Sequence, residues 1–126
     1  LTEHDAANAR RQAMLLAEEY GFSRPAVYEI ATAASELAMN LYVHATAGGL
    51  ISFSIFQQDK QTCFLTIAQD QGPGIDDLES AMRDGFSTVG SMGSGLPGVR
   101  RLTHSMKISS DPSGTRIECS KCYKHK

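Results

Sequence analysis

The chain is 126 residues long, with 12 Lys and Arg against 14 Asp and Glu, a formal charge of −2, and 41% hydrophobic residues. That is enough for one domain, residues 1–126, with a core needing neither metal nor disulfide support. The scattered basic residues argue against a nucleic-acid partner, and no apolar run approaches the roughly 18 residues that span a bilayer. The opening LTEHDAANARRQ has no apolar stretch of a secretory signal and no initiating Met, so a cytoplasmic protein is expected, with its start inside a longer chain. Three cysteines, two of them near the C-terminus, predict no disulfide framework.

From Asp5 to Tyr20 the residues Ala9, Ala13, Leu16 and Tyr20 recur at helical spacing, and Gly21 supplies a C-terminal cap. Ser23 and Pro25 open a second helix that should run to His44 or Ala45, with Val27, Ile30, Ala34, Leu37 and Leu41 on its apolar face and Gly48-Gly49 as its stop. LISFSIFQ (50–57) and TCFLTIAQ (62–69) alternate and are rich in β-branched and aromatic residues, which predicts an antiparallel hairpin. DQGPGI follows, then DDLESAMRD, a short helix with a capping box from Asp76 to Glu79 and a stop at Gly85. After the glycine-rich FSTVGSMGSGLPG, PGVRRLTH restarts a helix, and MKISS and GTRIECSKC form two strands around the turn DPSG. The order predicts an α+β fold: a two-layer α/β sandwich whose mixed, mostly antiparallel sheet carries helices on one face.

Glu36, Asn40 and His44 stand at i, i+4 and i+8, along one stripe of the second helix beside its apolar face. Such residues are often plain helix surface. Their chemistry has a use, however: an Asn oxygen is a hard ligand suited to Mg²⁺, and a Glu one turn earlier can take a proton from a hydroxyl. His44 reads as a packing or capping residue. DQGPGI alone is a turn. The glycines of GSMGSGLPG (90–98) can aim backbone N–H groups at an anion, although their spacing matches neither a P-loop nor a dinucleotide fingerprint. Cys119, Cys122 and His125 lack the fourth ligand that structural zinc takes, so no zinc is expected, and Cys63 reads as a core residue.

In order, SELAMNLYVHA, DQGPGI, GSMGSGLPGVRRL and the Gly114-Thr115 pair resemble the N box and glycine boxes of the GHKL ATPase/kinase superfamily. The similarity is greatest to the RsbT- and RsbW-type serine/threonine kinases of bacterial partner-switching modules, and it covers nearly the whole chain. The resemblance implies the Bergerat ATP-binding fold, with ATP and Mg²⁺ as cofactors. Residue by residue, it implies Glu36 as general base, Asn40 as the Mg²⁺ ligand and Asp70 as acceptor of the adenine amino group. Gly72, Gly74 and Ile75 would let the backbone approach the nucleotide, Gly93, Gly95 and Leu96 would cradle phosphates, and Thr115 would reach adenine through water. The family begins with a strand for which only LTEH remains here. Where RsbW-like relatives carry a lid arginine, this chain has Ser87, Thr88 and Ser91, leaving Arg100 and Arg101 as candidates to meet the γ-phosphate.

The function this implies is phosphorylation of a STAS-domain anti-sigma-factor antagonist, with a phosphatase or a sigma factor as further partners. The alternative is a non-catalytic ATP-binding module that sequesters or activates such a partner. A sensor-kinase ATPase domain is a more distant reading, as no helix with a phosphoacceptor His precedes it in the sequence.

Overall fold

The computed structural model describes residues 3–44, 49–70, 96–111 and 114–125. The elements run α1 (Glu3–Glu19), α2 (Arg24–His44), β1 (Gly49–Gln58), β2 (Gln61–Asp70), α3 (Leu96–Leu102), β3 (Ser105–Asp111) and β4 (Gly114–Lys124). The four described strands form one sheet in the order β1-β2-β4-β3, and all three pairings are antiparallel. Helices lie on one face of this sheet, as the α+β sandwich expectation requires. The short helix expected over DDLESAMRD lies outside the described residues.

The local signals act where they stand. α1 ends in a Schellman motif: Gly21 takes φ +84°, its N–H donates to Glu18 O (3.1 Å), and Phe22 N–H donates to Ala17 O (3.1 Å). Phe22 then packs with Ala17 in one apolar cluster. Ser23 caps α2, its Oγ accepting from Ala26 N–H at 3.3 Å. The β1–β2 connection is shorter than the polar stretch QDKQ implied. It is a two-residue turn at Asp59 and Lys60, with φ of 48° and 65°, the both-positive pattern whose twist suits a hairpin.

The buried face of α1 needs correction. Ala6, Ala9, Ala13 and Ala17 are buried, while Leu16 is half-buried and Tyr20 is 44% exposed. Small side chains let α1 lie close against α2, where Ala34, Ala38 and Met39 meet them, and Arg10 Nη1 donates to Thr32 Oγ1 across the gap at 3.3 Å. The face expected of α2 holds throughout: Val27, Ile30, Ala34, Leu37 and Leu41 are all buried. Leu37 and Leu41 join Ala68, Ile117, Leu96 and Val99 in the cluster between α2, α3 and the sheet. A buried Leu side chain contributes about 1.5–3 kcal/mol by leaving water, so this cluster fixes where α2 and α3 sit on the strands.

The cysteines depart from expectation. Cys63 and Cys122 are register partners on β2 and β4 and form a disulfide, with an S–S distance of 2.11 Å. Cys63 is buried as expected, but on the sheet face opposite the helices. The pairing comes from the β2–β4 register, which no spacing along the chain displays.

Candidate nucleotide site

One end of the sheet gathers the described site residues. Asp70 is the last residue of β2 and pairs with Thr115 at the start of β4 on one side and with Gly49 at the start of β1 on the other. Side chains paired across an antiparallel ladder share a face. Strand alternation puts Asp70 and Thr115 on the face of Ala68 and Ile117, toward the helices. Thr115 is buried and Asp70 half-buried.

Gly49 was expected only to stop a helix, yet it belongs to this corner. A Cβ there would lie 3.0 Å from Gln69 O, 3.0 Å from Leu41 Cδ2 and 3.5 Å from Asp70 Cβ. The missing side chain lets the second half of α2 close on the strand ends. The sequence signal was its place, opposite the acid of the next box once the hairpin is folded.

α2 contributes Glu36 and Asn40, about 6 Å apart along the axis at 1.5 Å per residue. Glu36 is 4% exposed, an unusual place for a carboxylate on a helix of ordinary surface polarity, and Asn40 is partly exposed. They flank Leu37 and Leu41, which are held in the cluster with Leu96 of α3. Leu96 is buried, as are Pro97, Gly98 and Val99, whereas Arg100 and Arg101 are exposed in the last turn of α3. Gly72, Gly74, Ile75, Gly93 and Gly95 lie outside the described residues, as do Ser87, Thr88 and Ser91, while the backbone of His44 ends α2.

The donor chemistry suits Mg²⁺-ATP. A carboxylate that only accepts fits the amino group of adenine, a hydroxyl beside it can both donate and accept, and the Asn carboxamide offers a hard oxygen. The C-terminal residues are arranged differently. Cys119 and Cys122 are three apart on β4 and so face opposite sides, Cys122 is bonded to Cys63, and the His125 ring meets Thr62 Oγ1. Burial pushes the Cys119 thiol from 9.0 up to about 12, with a hydrogen bond from Thr66 acting the other way. Among the described residues no group of three or more His, Cys, Asp or Glu is placed to hold a metal ion, and no described helix is long and apolar enough to cross a membrane.

Residues 1–121 match the histidine kinase-like ATPase domain family. The chain is 41% identical over 122 residues to the protein named serine/threonine-protein kinase RsbT of Bacillus subtilis (strain 168), covering 96% of this chain and 91% of that one. Among solved structures, the mycobacterial sensor histidine kinase MprB superposes with a TM-score of 0.54 at 19% identity, over 79% of this chain and 74% of that chain. The histidine kinase domain of the Erythrobacter litoralis EL346 blue-light activated histidine kinase superposes at 0.53 with 18% identity, over 77% of this chain. The match spans about half, 47%, of that second structure's length. At these identities the two structures show a shared fold.

Proposed function

The chain belongs to the histidine kinase-like ATPase domain family, and from that premise we propose that it is a single ATP-binding domain that phosphorylates a STAS-domain protein in bacterial partner switching. Its activity is that of a protein serine/threonine kinase, the class named for its relative RsbT. The observation that carries the catalytic reading is the placement of Glu36 and Asn40 on consecutive turns of α2, held by Leu37 and Leu41 beside the strand ends that bear Asp70 and Thr115.

Each residue then has a task. Asp70 selects the base by accepting from the adenine amino group, and Thr115 supports it through water. Asn40 would hold Mg²⁺ through its carboxamide oxygen, and the ion would offset phosphate charge. Gly72, Gly74 and Ile75 allow close backbone approach to the nucleotide, and Gly93, Gly95 and Leu96 enclose the phosphates. Glu36 takes the proton of the partner's hydroxyl as that oxygen attacks the γ-phosphorus of ATP, whose bond to the ADP oxygen breaks so that ADP leaves. The burial of Glu36 shields it from bulk water.

Glu36→Gln keeps volume and polarity while removing the base. Phosphate transfer from ATP to the STAS-domain protein should fall by about 10²–10⁴, with ATP affinity retained. Transfer at the wild-type rate would show the base to be another group. A wild-type chain that binds its partner in the presence of ATP but never phosphorylates it would favour the non-catalytic module.

A further inference from the structure

The sheet face opposite the helices holds a reactive arrangement that the nucleotide site does not use. Cys63 and Cys122 are register partners with Cα atoms 4.0 Å apart. Cys122 N–H donates to His104 Nδ1 at 3.0 Å, on the side of β4 toward β3. The N–H and C=O of a strand residue point to the same side, so Cys122 directs its backbone bonds away from β2. The two cysteines are therefore a non-hydrogen-bonded pair across the β2–β4 ladder, the kind whose side chains approach most closely. The ladder brings the two sulfurs together whether or not they are bonded.

Their access to solvent differs. Both border a cavity of about 380 Å³ lined also by Phe56, Gln58, Gln61, Lys107 and Glu118, but Cys63 is 2% exposed whereas Cys122 is partly exposed. Lys107 and Glu118 are themselves register partners, and the Glu118 carboxylate already accepts from Arg116 Nη1 at 2.7 Å, so the charge the cavity wall offers a ligand is the Lys107 ammonium. That suits a small peptide thiol, which carries a carboxylate. The third thiol is unsuited to exchange. Cys119 is 2% exposed on the helix side, and thiolate is the reactive form.

We propose that Cys122 is a thiol-modification site that takes up a small peptide thiol as a mixed disulfide, with Cys63 as the resolving cysteine. The Cys122 thiolate attacks one sulfur of a low-molecular-weight disulfide RSSR. A Cys122–SR bond forms, the RS–SR bond breaks, and RS⁻ leaves. The Cys63 thiolate then attacks the Cys122 sulfur, forming the intrachain bond and expelling the second RS⁻. The two cysteine protons pass through solvent to the two thiolates, so the chain loses two electrons and RSSR becomes two RSH. A dithiol reductant reverses both steps.

The test uses the reduced full chain with glutathione disulfide, rapid acid quenching, alkylation of remaining thiols and peptide mass mapping. Wild type should show a transient adduct on Cys122 that gives way to the Cys63–Cys122 bond. In Cys63→Ser the Cys122 adduct should accumulate and persist, and in Cys122→Ser adduct formation should be lost until denaturant is added. A first adduct on Cys63 or Cys119 in wild type, or Cys122→Ser labelled at the wild-type rate, would overturn the assignment. So would a mixed disulfide in wild type that never resolves. The wild-type time course decides the matter even if a variant folds poorly.

Discussion

The two ends of the β2–β4 ladder are built from the same pairing and used in opposite ways. At one end Asp70 stands opposite Thr115 on the helix-covered face, and at the other Cys63 stands opposite Cys122 on the reverse face. Within each strand the two residues are an odd number apart, so a single register sends the polar pair toward α2 and the sulfurs away from it. One end carries the candidate nucleotide site beside Gly49. The other is tied by a covalent bond, by the Tyr123 hydroxyl donating to Tyr20 O at 2.7 Å, and by the tight turn at Asp59 and Lys60. The far end thus holds the register on which the pairing of Asp70 with Thr115 depends.

Cutting the covalent tie should give the largest separation of the two ends. The bond spans 59 residues of chain, and closing a loop of that size stabilises by about 2–4 kcal/mol through the unfolded state. Reduction by a dithiol, or Cys63→Ser, should therefore lower unfolding stability by that amount in a denaturant titration. ATP affinity at moderate temperature should stay unchanged, because the register at Asp70 and Thr115 is also held by backbone bonds. A parallel loss of ATP affinity would mean that the two ends are mechanically coupled.

The converse change acts at the Asp70 end. Asp70→Asn can present an amide donor to the adenine amino group, itself a donor, and a lost or reversed buried hydrogen bond costs on the order of 1–3 kcal/mol. Calorimetric titration should show ATP binding weakened by that amount and unfolding stability little changed. Equal ATP affinity in the variant would remove the adenine role from Asp70.

Much of this was legible in the sequence, and the parts that were not share a cause. Helix caps, the face of α2 and the paired strands are written in neighbouring residues, so Gly21, Ser23 and the Val27–Leu41 stripe could be assigned directly. That Glu36 and Asn40 share one stripe of α2 was legible because a helix brings i and i+4 together. The role of Gly49 was not, because it depends on how closely Leu41 of α2 packs on the hairpin, and the disulfide was not, because it depends on which second strand lies beside β2. Nothing local states that β4 rather than β3 takes that place. Had Asp70 been set opposite Thr115 from the adenine roles that the resemblance implies, counting seven residues along each strand would have brought Cys63 to Cys122. The face of α1 was legible in part: Ala9 and Ala13 are buried and Leu16 packs against the core, but Tyr20 is exposed, and the close contact with α2 is completed by Ala6 and Ala17.

The smallest expected effect sharpens the contrast at the turn that closes the tied end. Both residues of the β1–β2 turn have positive φ, 48° at Asp59 and 65° at Lys60. Aspartate tolerates that conformation, but a long side chain pays for it, at roughly 1–2 kcal/mol for a residue other than Gly or Asn. Glycine removes the clash and returns part of the gain as greater freedom of the unfolded chain, about 0.5–1 kcal/mol. Lys60→Gly should thus stabilise the protein by about 0.5–1 kcal/mol, read as a higher denaturant midpoint at constant slope. The backbone bond from His125 N–H to Lys60 O at 2.8 Å does not involve the replaced side chain, so it should persist and hold β4 to the turn. ATP affinity should not move, since the turn lies at the far end of β2 from Asp70. A lowered midpoint would mean that the Lys60 side chain contributes more to the hairpin than its backbone strain costs.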